Sequence, residues 1–355
     1  MLLCCFLPAQ AIEVDGLYRA TIQVNSRNDA QERRRAFSDA LQEVLAKISG
    51  SSASTNPASI RRAMSNPEPY VESWSTQTRM VSSQSNEVTN QQQLIEIVVN
   101  FYESEIDRLL DENSIPVWPA NRPETLVWVV LEEELADRRM LGSSDLNSSE
   151  VLILIKNIAD RRGLPLLFPL LDLEDQLRLN INRLWDLDED AILAASGRYQ
   201  AESVLAIRLY KAINGELQAK SLYFFRDNVF TFEQSELNEA EFLSGSINLA
   251  SNELSQYYAV LLSGTDNSVQ VNLQIDGIDS PADYSELLSY LNTLEGVNSF
   301  QLKEVTANSL YIQLNTGGQL RQLVETMALE SSLQSATELS RQDEEVFMHY
   351  RWVRD

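Results

Sequence analysis

Histidine and cysteine are almost absent from this sequence. Cys4 and Cys5 are the only cysteines, and His349 is the only histidine. A Ser-His-Asp or Cys-His mechanism would have to use these few residues, and no G-x-S-x-G stretch is present. A metal site built on imidazole is excluded by count, which leaves carboxylate oxygens as the only ligands. We therefore expect no catalytic set, no bound metal and no cofactor.

Positive charge is also scarce. Lysine and arginine number 28 against 52 aspartates and glutamates, so the formal net charge is −24. Phosphate backbones repel such a surface, which excludes nucleic acid as a partner and nearly excludes anionic membrane surfaces. The longest basic run, Arg33-Arg34-Arg35, lies beside Glu32 and Asp39. This mixture is typical of a solvated helix face rather than a phosphate site.

Long apolar runs are missing as well, so we expect no transmembrane helix. The first eleven residues, MLLCCFLPAQA, combine a short apolar run with the small-x-small pattern that ends at Ala11. They resemble the end of a secretory signal peptide that is cleaved after Ala11; the alternative is a buried N-terminal strand. Cleavage would remove both cysteines, which leaves a mature chain without disulfides. We therefore expect an exported protein with no transmembrane segment in the mature chain.

The remaining pattern predicts an α+β fold made of two or three small mixed α/β domains. After the signal remnant at 1–11, residues 12–118 predict strand, helix, strand, strand and helix. The helix near 30–49 has an apolar face with caps at Asn28 or Asp29 and at Gly50. Its apolar residues recur at spacings of three and four: Phe37, Ala40, Leu41, Val44, Leu45 and Ile48.

Residues 119–262 predict a middle α/β domain with a parallel crossover, formed by ETLVWVVLEE, a helix capped by Ser148, and LPLLFPLL. Helices near 173–185 and 190–200, three antiparallel strands and a closing helix follow. Asn214-Gly215 predicts a two-residue type I′ turn between two of these strands. Residues 269–355 predict a ferredoxin-like β-α-β-β-α-β domain with a last strand near residue 335, and the tail FMHYRWVRD as a further strand.

Several motifs allow a comparison with a known family. They are VDGLYRA, the helix that ends in KISG, IPVWPANRPETLVWVVLEE, RRGLPLLFPLLDLED and LWDLDEDAILAASGRYQAESVLAIRLY. With these motifs, residues 13–262 resemble a bacterial envelope family known as domain of unknown function 2066. The resemblance implies a periplasmic protein of Gram-negative bacteria with no catalytic residues to transfer. At the level of fold alone, the middle segment is similar to periplasmic modules of Tol-Pal, flagellar and peptidoglycan-synthase accessory proteins. Those are binding and assembly modules.

The stretch IPVWPANRPETLVWVVLEEE, residues 115–134, is the main candidate for a site. Its prolines favour a stiff, extended connection, and Trp118 and Trp128 are predicted to clamp two domains against it. Arg122 is expected to stack on a tryptophan or to donate to a carbonyl at the domain boundary. The alternative is a tryptophan-lined groove that binds a peptide or a sugar.

Each of the acidic candidates has both a structural and a functional interpretation. Asp186, Asp188 and Asp190 have the spacing that begins a calcium loop, but the rest of that pattern fails, which favours capping of the next helix. Glu132 and Glu134 follow a buried strand, where α/β sheets bind ligands, although a solvated strand end explains them as well. In the same way, Arg198 is either an anion-binding residue or part of a helix end.

These observations support three hypotheses. The first is a non-enzymatic periplasmic module that binds or assembles another cell-envelope component, either an envelope protein or a peptidoglycan-associated partner, through a sheet edge, a groove or the aromatic tail. The alternative is a carboxylate-dependent hydrolase of envelope glycan that uses Glu132 or Glu134 with an aspartate of the 186–190 cluster. The third is a module that calcium stabilises through that same acidic cluster.

Overall fold

The chain folds into an α+β structure, as its pattern predicts, and its buried apolar residues fall in three successive parts of the chain, the middle one with a cluster on each face of its sheet. The computed structural model describes residues 11–353 apart from 86–87, 135, 215, 234–237, 262–268, 295–296, 307, 317–319, 329, 331 and 343–344. The cores are formed by residues within 17–117, 118–259 and 271–352. None of the helices in these described ranges is long and apolar enough to span a membrane. The predicted domain limits stay predictions, and Trp118 packs in the middle core rather than the first.

The first core lies between a three-stranded sheet and its helices. The elements are β1 (Ala11–Glu13), β2 (Arg19–Val24), α1 (Ala30–Ser49), α2 (Ala58–Ser65), β3 (Val71–Ser85), β4 (Val88–Phe101) and α3 (Glu103–Asp111). The sheet order is β2-β4-β3, so β2 is an edge strand. The predicted apolar face of α1 is buried against this sheet.

The ends of these helices agree with the sequence except at α3. The Asp29 side chain accepts hydrogen bonds from the first turn of α1, and Gly50 ends the helix at a φ of 67°. The stretch SEIDRLLDEN predicts a helix capped by Ser104, but α3 begins after Tyr102 because the chain turns directly out of β4.

The middle core is built around a six-stranded sheet with helices on both faces. Its elements are β5 (Asn121–Pro123), β6 (Thr125–Glu133), β7 (Arg139–Leu141), α4 (Glu150–Arg162), β8 (Leu166–Leu167), α5 (Leu173–Arg178), α6 (Ile181–Trp185), α7 (Glu189–Ser196), β9 (Ser203–Lys211), β10 (Leu217–Phe225), β11 (Asn228–Phe232) and α8 (Glu239–Tyr258). The order is β11-β10-β9-β6-β7, and β8 also pairs with β6. β6 is parallel to β8 and β9, as the crossover pattern predicts, while the short strand β5 pairs with β1.

Four local predictions for this part of the chain need correction. The strand predicted in LPLLFPLL has two residues, because prolines flank it, and β7 was not predicted. The predicted helix at 173–185 is two helices, and Ser149 rather than Ser148 caps α4. β9 and β10 pair as the predicted hairpin around Asn214, but the predicted type I′ turn includes Gly215. Gly215 lies outside the described residues.

The last core contains the predicted elements in a different topology. They are β12 (Val269–Asp276), α9 (Pro281–Thr293), β13 (Val297–Val305), β14 (Ser309–Thr316), α10 (Leu320–Ala328), β15 (Leu333–Gln342) and β16 (Glu345–Trp352). In a ferredoxin-like domain β15 would pair with β12. Instead, the tail strand β16 lies between them, parallel to β12 and antiparallel to β15. Alternate residues of β16 are apolar or aromatic and buried: Val346, Met348, Tyr350 and Trp352. A position between two strands buries the face of β16 that carries them, which explains the insertion.

The only histidine is part of a polar cluster on this sheet. Asp276 accepts hydrogen bonds from Gln274 (3.0 Å) and Ser309 (2.7 Å), and its other oxygen lies 2.8 Å from Nε2 of His349. The hydrogen bond from Gln274, together with those from His349 and Ser309, lowers the pKa of Asp276 to about 2. Because the aspartate lies between the serine and the histidine, the serine hydroxyl contacts the carboxylate rather than the imidazole, unlike a catalytic triad. The cluster ties β12, β14 and β16 together.

We expect Asp276→Asn to destabilise the protein at pH 7 by about 1 kcal/mol, after allowance for solvent screening. The carboxylate has a lower pKa in the folded state, so its contribution is complete above about pH 4 and is lost as the pH falls towards 2. The difference in unfolding free energy between wild type and variant should therefore shrink between pH 4 and 2 in urea titrations. Asp279→Asn, at an exposed position close by, is the control. A difference that is independent of pH would contradict this role.

Candidate functional site

The stretch 115–134 forms a joint around one buried arginine. Arg122 is fully buried, and all five of its N–H groups donate to backbone carbonyls. The acceptors are the carbonyl oxygens of Pro119 (2.9 Å), Arg162 (3.3 Å), Gly163 (2.8 Å), Lys47 (3.0 Å) and Trp118 (2.9 Å). The guanidinium also lies 4.1 Å from the centre of the Trp118 ring. Arg122 therefore makes both contacts that the sequence suggests for it.

Two helix ends meet at this arginine. The carbonyl of Lys47 belongs to the last turn of α1, and those of Arg162 and Gly163 to the end of α4, where the helix dipole is negative. Gly163 has a φ of 60°, and a Cβ there would lie 2.5 Å from Nη1 of Arg122, so this position requires glycine. Arg162, also buried, donates to the carbonyl of Gly50 at 2.6 Å. The joint thus fixes the end of α1 against the end of α4.

We expect Arg122→Lys to lower the free energy of unfolding by about 2–4 kcal/mol. Lysine has three donors and no planar fork, so it leaves buried carbonyls at the two helix ends without partners. The control is Arg34→Lys, at a side chain that is 74% exposed, where we expect a change below about 0.5 kcal/mol. Equal effects of the two substitutions in urea unfolding would contradict the importance of the joint.

Trp128 does not contribute to the joint, contrary to the prediction. It lies on the other face of the middle sheet, where its Nε1 donates to Oγ of Ser196 at 2.9 Å and its ring packs edge-on against Tyr199. Successive residues of β6 face opposite sides, so Trp128 faces α6 and α7, whereas Val127 and Val129 face α4 and α8. A strand that is buried on both faces gives no alternation from which the side could have been inferred.

The predicted acidic candidates are engaged in local contacts. Glu132 pairs with Arg138 at 2.7 Å, and the Glu134 carboxylate accepts the amide of Ile213 at 2.7 Å. Asp188 caps α7 through the amide of Ala191 and pairs with Arg183, as the capping interpretation predicts. No contact between described residues joins Glu132 or Glu134 to Asp188, and no metal-binding group of acidic, histidine or cysteine residues occurs within the described ranges.

Arg198 is held by carboxylates of its own chain. Its guanidinium contacts both oxygens of Asp172, at 2.8 and 3.0 Å, and Oδ1 of Asp175 at 3.1 Å. These partners link the end of α7 to the start of α5, so the residue fixes a helix end. The neighbouring Tyr199 donates to Asp175 at 2.5 Å and completes this network.

A groove that the sequence did not indicate lies beside the joint. It has a volume of about 1020 Å³, close to the upper end of ligand clefts. One wall is formed by five consecutive residues of β2, 19–23. Residues of α1 and α4 form the rest together with the loop before β2 and the outer face of the sheet: Asp39, Glu43, Lys47, Asn157, Asp160, Arg161, Asp15, Gly16, Arg79 and Glu96.

The backbone of β2 is open towards this groove. In its pairing with β4, the amide of Phe101 donates to the carbonyl of Tyr18, which sets the phase of the ladder. The residues that bond to β4 are therefore Ala20, Ile22 and Val24, while the amides and carbonyls of Thr21 and Gln23 point away from it. Among the described residues, no strand or side chain pairs with these four groups.

Charged side chains close both ends of this open edge. The ammonium of Lys47 donates to the carbonyl of Arg19 at 2.7 Å. At the other end, the carboxylate of Glu32 accepts the amides of Asn25 and Ser26 at 2.9 and 2.8 Å. The unpaired part of the edge is therefore limited to Thr21–Gln23.

The Lys47 ammonium is partly removed from water. Its side chain is 9% exposed, and burial lowers its pKa, while Glu43, 3.9 Å away, has its pKa raised by burial. Such a buried pair resists displacement, because either charge without the other would be costly in this position. Lys47 thus marks a fixed end of the groove rather than a mobile surface charge.

We expect the amides of Thr21 and Gln23 to exchange with solvent at least about 100-fold faster than those of Ala20 and Ile22. The first two have no acceptor among the residues that the structure describes, whereas the second two donate within the sheet. Residue-resolved hydrogen exchange on the isolated protein measures this difference. The amides of Ala20 and Ile22 are the control, because they lie on the same strand. Equal protection of all four amides would mean that the edge is covered.

Comparison with known proteins adds one finding for this region. Residues 11–119 match a family described as Domain of unknown function (DUF8605), over less than a third of the 355 residues. The match includes β2, α1 and Lys47, but not Arg122 or α4. It supports a domain of unknown function in this segment, although a different one from the family that the motifs suggest. No curated protein and no solved structure matches the chain.

Proposed function

We propose that this protein is a non-enzymatic binding module that holds an extended segment of another envelope protein as an added strand on β2. The single observation that carries the proposal is the open edge at Thr21 and Gln23 inside a groove. Strand addition uses the partner's main chain for affinity and the groove walls for specificity. Four unpaired backbone groups accommodate a partner segment of about five residues.

The shape of the groove favours a single extended segment over a whole sheet. The helices α1 and α4 contribute residues to the same groove as the edge of β2, so the edge is recessed between elements. We expect an isolated strand to fit beside β2 and the edge of a second folded domain to meet α4. The closed ends at Lys47 and Glu32 also limit pairing to a short window, which is how natural proteins prevent edge-to-edge association.

The proposed location rests on the sequence. The segment MLLCCFLPAQA has the features of the end of a signal peptide, and the quoted motifs resemble the exported family known as domain of unknown function 2066. We propose that the chain is a relative of that family and acts in the periplasm, with an envelope or peptidoglycan-associated protein as its partner. The carboxylates of the alternative glycan hydrolase, Glu132, Glu134 and Asp188, make ion-pair, turn and helix-cap contacts, which favours the binding module.

The proposal is tested by crosslinking in the native bacterium with a photoreactive amino acid at position Gln23. We expect one main adduct in which the crosslinked partner residues lie within one short linear stretch. Thr21→Pro should reduce the adduct at least about tenfold, because proline removes an outward amide that the protein's own sheet does not use. The matched variant Thr21→Val keeps that amide and should leave the adduct unchanged.

A photoreactive residue at Arg34, exposed on α1 and outside the groove, controls for random collisions. Equal adducts in the proline and valine variants would overturn strand addition. Adducts between two copies of this chain would show self-association through β2 instead. Adducts scattered over a folded partner surface would also contradict the proposal, since they indicate docking of a face rather than of a segment.

A further inference from the structure

The charges that line the groove beside β2 nearly cancel. Five carboxylates and four cations are among its lining residues, so charge by itself favours neither an acidic nor a basic segment there. The open backbone groups of Thr21 and Gln23 do not distinguish one sequence from another either, because any main chain can pair with them. Selection of a partner therefore depends on a side-chain contact elsewhere along the bound segment.

An apolar pocket that offers such a contact opens next to the groove. It has a volume of about 410 Å³ and lies between β1, α4 and the chain around β8. Its apolar lining includes Ile12, Val14, Leu146, Leu166 and Phe168. This volume falls within the range of clefts that bind small ligands, and it is ample for one large side chain.

The charged residues of this pocket lie at the protein surface. Glu13, Asp15, Lys156 and Asp160 contribute to the lining, and all four are exposed. Lys156 and Asp160 pair with each other at 2.8 Å. Ile12 is also 45% exposed, so part of the apolar lining is in contact with water. Exposed apolar surface with polar residues at its margin is typical of an interaction site.

The pocket continues the groove at one end. Asp15 and Asp160 line both cavities. Along the chain, the lining that β2 gives to the groove ends at Gln23, whereas in the other direction it extends before the strand to Gly16 and Asp15. The pocket therefore lies beyond the Arg19 end of the open edge.

A segment that pairs with β2 loses its main-chain partners at this same end. The ammonium of Lys47 occupies the carbonyl of Arg19, so outward pairing stops at Thr21. The next residues of the segment have to leave the edge, and the groove leads from there to the pocket. One of their side chains can then be buried where the backbone is no longer paired.

We propose that the segment bound at β2 carries a bulky apolar side chain, of about the size of leucine, that fills this pocket. This inference rests on the proposed function and specifies the chemistry of its partner. Strand addition obtains affinity from the main chain and specificity from pockets for particular side chains.

An apolar anchor also compensates for the short length of the open edge. Thr21 and Gln23 offer four backbone groups, and each hydrogen bond contributes little net free energy because water competes for the same groups. Transfer of a large apolar side chain out of water is favourable and needs no exact geometry. Most of the binding energy then comes from the pocket, and the edge of β2 sets the position and direction of the segment.

The test uses the purified protein and blocked peptides with a strand part of about five alternating valines and threonines and a serine spacer. One test position, about two to five residues beyond the strand part, holds leucine, alanine or asparagine. It lies on the C-terminal side in one set and on the N-terminal side in the other, to allow antiparallel and parallel pairing. By fluorescence anisotropy we expect leucine at its best position to bind about 10–50 times more tightly than alanine or asparagine there, as burial of its side chain allows.

Variants of the protein assign the preference to the pocket. Ile12→Glu introduces a charge at an exposed lining residue, and Leu146→Glu does so at a half-buried one, so each should remove the preference for leucine. The matched control is Ile213→Glu, which makes the same substitution outside the pocket at a side chain that is 69% exposed, and it should keep the preference. Thr21→Pro should weaken the leucine and alanine peptides by the same factor, because they share the main-chain contacts.

The outcomes separate the anchor from strand addition. Equal binding of the leucine, alanine and asparagine peptides that Thr21→Pro still abolishes would overturn the anchor and leave strand addition standing. A preference for leucine that both Ile12→Glu and Leu146→Glu retain would show that another surface binds the side chain, and it would overturn the role of this pocket. Binding of the leucine peptide that Thr21→Pro does not weaken would overturn strand addition and the link between groove and pocket. Failure of all peptides to bind at about 1 mM would overturn the proposed function together with this inference.

Discussion

The hydrogen bonds of one buried guanidinium determine how the first two parts of this protein meet. Burial of a cation carries a large desolvation cost, and here five backbone carbonyls offset it. Three of the carbonyls belong to the ends of α1 and α4, whose dipoles favour positive charge. Because Arg122 needs all of them at once, the two helix ends are fixed relative to each other.

The same constraint shapes the groove. The carbonyl of Lys47 accepts from Arg122, while its ammonium donates to the carbonyl of Arg19 at the start of the open edge. Lys47 therefore connects the joint to β2 through a single residue of α1. The helix α4, whose C-terminal end Arg122 holds, provides the wall that contains Arg161. The joint is thus a structural element whose consequence is the position of the groove.

Part of the β2 edge is protected from pairing with other strands, and part of it is accessible. Most edge strands are covered, shortened or charged along their length to prevent aggregation. Here, Lys47 and Glu32 occupy the outward backbone groups at the two ends, and within the described part of the chain only Thr21 and Gln23 remain open. A window of this length is too short for stable pairing with another sheet edge, and it matches the short segment that we propose as the partner.

The sequence by itself determined the local elements, because the periodicity of apolar residues and the capping residues act within one turn or strand. The buried face of α1 and the caps at Asp29 and Asp188 were predictable for that reason. The tertiary structure alone decided the rest. The acceptors of Arg122 lie 75 and 41 residues away at Lys47 and Gly163, and the side on which Trp128 packs depends on the phase of a strand that is apolar on both faces. The insertion of the tail strand and the open edge of β2 also depend on which strands become neighbours, and hydrogen bonds between distant segments settle that choice.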